Sequence, residues 1–114
     1  MENNFSIIIS TCDKFSDLWD AHILLLNQNW EDRNVETFLV TDKPTDRTFE
    51  NVTVVAAGEG TEITERLKVV LPLIKTEYVL FTLDDYFLTE KISTQALNED
   101  IQIMEKHQID YLRL

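Results

Sequence analysis

Glu77-Tyr78-Val79-Leu80-Phe81-Thr82-Leu83-Asp84-Asp85-Tyr86-Phe87-Leu88 is an apolar run that ends in two adjacent carboxylates, with a second apolar group directly behind them. Apolar residues do not simply alternate with polar ones between Val79 and Leu83, which predicts a strand buried on both faces. Asp84 and Asp85 then stand at its carboxyl end, the edge at which open α/β sheets bind ligands. Two neighbouring carboxylates repel each other and resist burial unless something compensates them. A divalent cation does this, and so does water. Hard oxygen ligands suit Mg²⁺ or Mn²⁺, which usually bridge a few carboxylates to substrate phosphates. The alternative is a loop carrying two solvated acids.

The segments on either side set this strand in a repeating order. Phe5-Ser6-Ile7-Ile8-Ile9-Ser10 is a β-branched run that reads as a buried strand. Thr11-Cys12-Asp13-Lys14 is the loop behind it, and Ser16 is placed to cap the next helix. Phe15, Leu18, Trp19, His22, Ile23, Leu26 and Trp30 recur at helical spacing, so His22 reads as a packed or partly exposed ring rather than a ligand. Val35–Thr41 and Val52–Ala56 are two further strands, separated by a loop around Pro44. Gly58-Glu59-Gly60 has neither the GxGxxG pattern nor the GK[ST] ending of a phosphate-cradling loop. A helix capped by Gly60 or Thr61 should run through Ile63, Leu67, Val70, Leu71 and Ile74, with Pro72 kinking or restarting it. Ser93 or Thr94 should cap a last helix bearing Leu97, Ile101 and Met104. Ile109-Asp110-Tyr111-Leu112-Arg113-Leu114 reads as a fifth strand. The order β-α-β-β-α-β-α-β predicts one α/β domain over residues 1–114: a Rossmann-like, mostly parallel sheet with helices on both faces. An ending inside an apolar strand is what a piece of a longer chain would show.

Composition narrows the function classes. The 114 residues make one domain at most, and 44% are hydrophobic, enough for a core. A net charge of −11 disfavours nucleic acid and anionic membrane surfaces, both of which call for basic patches. It leaves room for a nucleotide whose charge a bound cation offsets. The chain has no apolar run of about 18 residues, the length a membrane-spanning helix needs. Met1-Glu2-Asn3-Asn4 lacks the positive region of a signal peptide, and the single Cys12 fits a reducing cytoplasm. His22 and His107 stand far apart and without Cys partners, which argues against zinc.

Loops that follow parallel strands gather along one edge of the sheet. Three of these carry polar or acidic groups: Ser10-Thr11-Cys12-Asp13, Thr41-Asp42 and Asp84-Asp85. Arg66 lies in the early turns of the helix entering the key strand. Carboxylates can accept hydrogen bonds from a base or ribose, and an Arg can pair with phosphate. Each residue also has an ordinary reading. Asp42 could be a turn-former before Lys43-Pro44. Arg66 could be a surface residue paired with Glu62 at i−4. Cys12 could be a small buried side chain.

On these residues the chain resembles the nucleotide-binding half of a GT-A type glycosyltransferase, of the family 2 kind found in bacterial polysaccharide synthesis. The resemblance spans nearly all 114 residues. It rests on Ser6–Ser10, Val40-Thr41-Asp42, Glu65-Arg66-Leu67 and, most specifically, Tyr78–Leu88, which is similar to the family's metal-binding DxD region with Leu83 in place of the first Asp. The resemblance implies that Asp85 ligates Mn²⁺ or Mg²⁺, with Asp84 at the middle position near ribose and metal. It implies that Asp42 contacts a uracil-type base, that Ser10 and Cys12 lie where the first loop meets that base, and that Arg66 approaches the diphosphate. The partner implied is a nucleotide sugar, most simply of the UDP type. The chain departs from the family at Cys12, where an aromatic residue is common, and at Asp13 and Leu67, where Asn is. The family's acceptor half and catalytic base lie beyond the DxD region, and Glu99, Asp100, Glu105 and Asp110 show only ordinary surface spacing. The rival expectation is a non-catalytic or receiver-like Mg²⁺-binding regulatory domain.

Overall fold

The computed structural model describes residues 4–114, so most of the amino-terminal tetrapeptide lies outside the described residues. Four strands form one all-parallel sheet: β1 (Phe5–Ser10), β2 (Thr37–Thr41), β3 (Thr53–Ala56) and β4 (Tyr78–Leu83), in the order β3-β2-β1-β4. Three helices, α1 (Trp19–Asn29), α2 (Ile63–Val70) and α3 (Thr94–His107), complete the Rossmann-like α/β fold that the alternation predicts. β1 is central, and all six of its residues are buried, as expected of a strand covered on both sides.

The period-2 alternation of side chains sorts the core onto two faces. Phe5, Ile7 and Ile9 of β1 meet Leu26 and Trp30 of the α1 region, with Tyr78, Leu80, Leu97 and Ile101 packed alongside. Leu39 of β2 faces the same way, against Trp19 and Ile23, with Phe49 and Val52 of the β2–β3 crossover beside it. Ile8, Phe38 and Val40 point to the opposite face, where Val70, Leu67 and Ile74 lie over them. α1 and α3 therefore cover one face and α2 covers the other.

Local chemistry explains the element ends. Ser93 caps α3, its hydroxyl accepting the Ala96 N–H at 3.2 Å. Pro72 does restart the helix: α2 stops at Val70 and Leu71–Leu73 continue as one 3₁₀ turn. The cap of α2 is Glu62, one residue after Thr61 and two after Gly60, with the Glu65 carboxylate accepting the Glu62 N–H. Ser16 caps nothing, because Asp13–Leu18 form a 3₁₀ stretch and α1 begins only at Trp19.

Two larger expectations fail as well. Ile109–Leu114 is not a strand among the described residues: no strand pairs with the outer side of β4, and Tyr111 and Leu114 are exposed. Apolar alternation makes a strand only where a ladder partner lies within reach, and here Gln108 takes a left-handed conformation that ends α3 and turns the chain away. Nor is β4 buried on both faces. It is the sheet edge, and Val79 and Phe81 are 37% and 42% exposed because α2 packs over β1 to β3 rather than over β4.

Candidate functional site

Parallel strands bring Ser10, Thr41 and Leu83 to one edge. The register runs Ser10↔Val40 and Ser10↔Leu83, so the loops that follow leave the sheet side by side. Backbone bonds lock them together. The Thr11 N–H donates to the Val40 carbonyl at 2.9 Å, and the Asp84 N–H donates to the Ser10 carbonyl at 3.2 Å. The loop entering α2 joins them, since Ala57 N–H reaches the Thr41 carbonyl and Gly58 N–H the Asp42 carbonyl, each at 2.8 Å. The segments expected to converge from the sequence are thus brought to one edge.

Asp42 behaves first as a loop clamp. Its Oδ1 accepts the Asp13 N–H and the Lys43 N–H at 2.8 Å each, and the Thr41 hydroxyl at 3.2 Å. Partial burial pushes its carboxyl pKa up, but these hydrogen bonds outweigh burial and the net shift is downward. The turn-forming role that the Asp-Lys-Pro sequence allows is therefore filled by Oδ1, and Oδ2 takes none of the three bonds.

Asp84 is held from two sides. Its Oδ2 accepts the Thr11 hydroxyl at 2.7 Å, and its backbone carbonyl lies 3.2 Å from His22 Nδ1. Thr11 also meets the indole Nε1 of Trp19 at 2.7 Å. Asp85, by contrast, is exposed. His22 is 3% exposed and sits 6.1 Å from the ring of Phe87. Burial lowers its pKa, against the opposing pull of the Asp84 carbonyl and the Asp84 and Asp85 charges. Thr11, Trp19 and His22 are thus site residues that the sequence alone disguised. Trp19 and His22 fell on the apolar stripe of a helix, and only their i, i+3 spacing beside the Asp84 strand end could have hinted at a shared target.

Arg66 and Ser10 are the unusual members. Arg66 is not a surface residue paired with Glu62. It is 9% exposed, one Nη donates to the Thr61 carbonyl, and its Nε is buried without a partner. Among the described residues no carboxylate forms an ion pair with it. The helical spacing of Arg66 and Val70 places the guanidinium on the sheet-facing side of α2, one turn closer than Val70 to the loop tied to Thr41 and Asp42. Ser10 Oγ, on the α2 face by its alternation with Ile8, is also buried and unpartnered. Buried polar atoms without partners are uncommon, and each calls for an explanation. Cys12 is half-buried at the same loop, where its carbonyl accepts the Phe15 N–H at 3.0 Å.

The donor set fits a divalent cation in one mode only. Among the described residues no group of three or more His, Cys, Asp or Glu is placed to hold a metal, so an all-protein cage is absent there. Asp84 and Asp85 can supply two oxygens. That matches the usual Mg²⁺ arrangement, in which one or two carboxylates share the ion with water and substrate phosphates. Among the described residues no helix is long and apolar enough to cross a membrane. No protein-family model matches the sequence, and neither a curated protein nor a solved structure matches it.

Proposed function

We propose that this domain binds a nucleoside diphosphate sugar at the carboxyl edge of its sheet, as the donor-binding half of a glycosyltransferase. The observation that carries the reading is Arg66. A buried guanidinium with an unpartnered Nε and, among the described residues, no carboxylate partner, in a chain of net charge −11, is a cation suited to an anion. A diphosphate is the anion that fits, because the same edge of the sheet carries, at the end of β4, an acidic pair able to share a cation with it. Ser10 Oγ adds a second unused polar atom.

In this reading Asp42 Oδ2 and the Ser10–Cys12 loop take the base and ribose, Asp84 and Asp85 hold Mn²⁺ or Mg²⁺, and Arg66 pairs with phosphate oxygens. The ion, when bound, supplies Lewis-acid stabilisation of the leaving diphosphate. The protein's own contribution is orientation: a fixed Asp84, a clamped Asp42 loop and a pre-placed guanidinium. Glu99 and Glu105 lie exposed on α3, so neither is placed as a base for an acceptor hydroxyl.

Calorimetric titration with UDP, GDP and CMP, each with and without Mn²⁺, tests this on the protein and on Asp85→Asn. UDP or GDP binding that needs Mn²⁺ and disappears in the variant is the expected result. Mg²⁺ binding that is indifferent to nucleotide would favour the receiver-like regulatory alternative. An absence of nucleotide binding under every condition would overturn the reading.

A further inference from the structure

Hydrogen-bond polarity at the strand end runs in one direction. An indole N–H can only donate, so Thr11 Oγ1 accepts from Trp19 at 2.7 Å. The hydroxyl has a single proton left to give. Asp84 Oδ2 stands 2.7 Å away, whereas the other acceptor near it, the Cys12 carbonyl, is at 3.4 Å. The proton therefore goes to Asp84. A backbone carbonyl can only accept, so His22 Nδ1 carries a proton and donates to Asp84 O at 3.2 Å. Thr11, Trp19 and His22 are 2%, 1% and 3% exposed, so water is kept from the donor side of these bonds, while Asp84 itself is half-buried.

We propose that Thr11 is a positioning residue for Asp84, oriented by Trp19, and that it turns Asp84 into a fixed one-oxygen ligand for the cation of a nucleoside diphosphate. The inference rests on the donor-binding reading above. With Oδ2 accepting from Thr11, Oδ1 is the freer oxygen to meet the ion, and the hydrogen bond holds the carboxylate in an orientation that favours one-oxygen over two-oxygen contact. Asp85 is exposed and has no such brace, so it adapts to the ion that Asp84 places. Outer partners of this kind set the geometry and basicity of metal-binding carboxylates, and their loss typically costs about 10- to 100-fold in metal affinity.

The test is calorimetry of UDP with Mn²⁺ on the wild-type protein, Thr11→Val and Thr11→Ser, with thermal unfolding of each to confirm folding. Thr11→Val keeps the shape and removes the proton; Thr11→Ser keeps the proton. The expected result is a loss of about 10- to 100-fold in Mn²⁺-dependent UDP affinity in Thr11→Val, with Thr11→Ser within about threefold of wild type. Should Thr11→Val not fold, Thr11→Ala takes its place with the same expectation. A Val or Ala variant that binds as tightly as wild type overturns the positioning role, as does a Ser variant as weak as the Val one. A wild-type protein that binds no UDP with Mn²⁺ fails at the donor-binding reading itself, and takes this inference with it.

Discussion

Replacing Arg66 by Met separates a residue kept for structure from one kept for a ligand. The structure sets the terms. Arg66 is 9% exposed, makes one side-chain hydrogen bond, to the Thr61 carbonyl, and leaves Nε buried and unpaired. A hydrogen bond from a charged donor contributes about 1.5–3 kcal/mol, and an unsatisfied buried donor costs about 1–3 kcal/mol. The two nearly cancel, and Met occupies much of the same volume without a charge to desolvate. Arg66→Met should therefore change the stability of the ligand-free protein by no more than about 1 kcal/mol in either direction. Breaking a buried ion pair, by contrast, costs about 3–5 kcal/mol. Ligand linkage supplies the second half of the experiment. UDP at about 100 times its Kd, with Mn²⁺, should stabilise the wild-type protein by about 2.7 kcal/mol. That is a rise of roughly 10 °C or more in Tm for a domain of this size. Arg66→Met should lose most of that rise. Urea unfolding gives the first quantity and thermal unfolding with and without UDP and Mn²⁺ gives the second. A loss of more than about 3 kcal/mol without ligand would show that Arg66 holds the fold, and an undiminished ligand-induced rise would show that it does not hold the diphosphate.

Three further predictions follow from burial and from charge. Leu39 is 0% exposed between β1 and β3, so Leu39→Ala should cost about 2–5 kcal/mol in urea unfolding. Phe81 is 42% exposed on the open face of β4, so Phe81→Thr should cost under about 1 kcal/mol, and a larger loss would mean that this face is covered in solution. Burial lowers the His22 pKa below its ordinary 6.5, so below pH 6.5 the unfolded chain binds protons that the folded one resists. Its stabilising contribution is present above pH 6.5 and fades as pH falls through the folded-state value. Unfolding in metal-free buffer from pH 7 to 5 should show a slope of at most about 1.4 kcal/mol per pH unit that shrinks in His22→Gln, and an unchanged slope would rule out a desolvated His22.

Much of the fold was legible because its signals are local and strong. The β-branched run at Phe5–Ser10, the crowded apolar stripe of α1 and the Pro72 break each name their element without help from elsewhere. What failed depended on neighbours. Nothing within Ile109–Leu114 says whether a ladder partner is within reach, and nothing within Val79–Leu83 says that β4 is an edge whose outer face α2 leaves bare. The site divides the same way. Acids at strand ends are visible as sequence, and Asp42, Asp84 and the Ser10–Cys12 loop do meet. Arg66 was visible as a residue but not as a buried one, since its helical phase relative to Val70 matters only once α2 is laid on the sheet.

The contrast between the two faces of the carboxyl edge bears on why the site is built as it is. On the α1 face three bonds close around the Asp84 strand end: Trp19 gives to Thr11, Thr11 gives to Asp84, and His22 gives to the Asp84 carbonyl. On the α2 face Ser10 Oγ and Arg66 Nε stay open. A chain selected only for stability would close or delete both, because an apolar replacement of similar size is seldom worse than a half-satisfied polar group. Rigid support on one side with unmet hydrogen-bonding capacity on the other is what the proposed binding role would require of this edge, although Arg33 Nε, away from it, is buried and unpartnered too. In the proposed reading the closed side holds Asp84 in place, and the open side is where the oxygens of a diphosphate would meet a guanidinium and a hydroxyl.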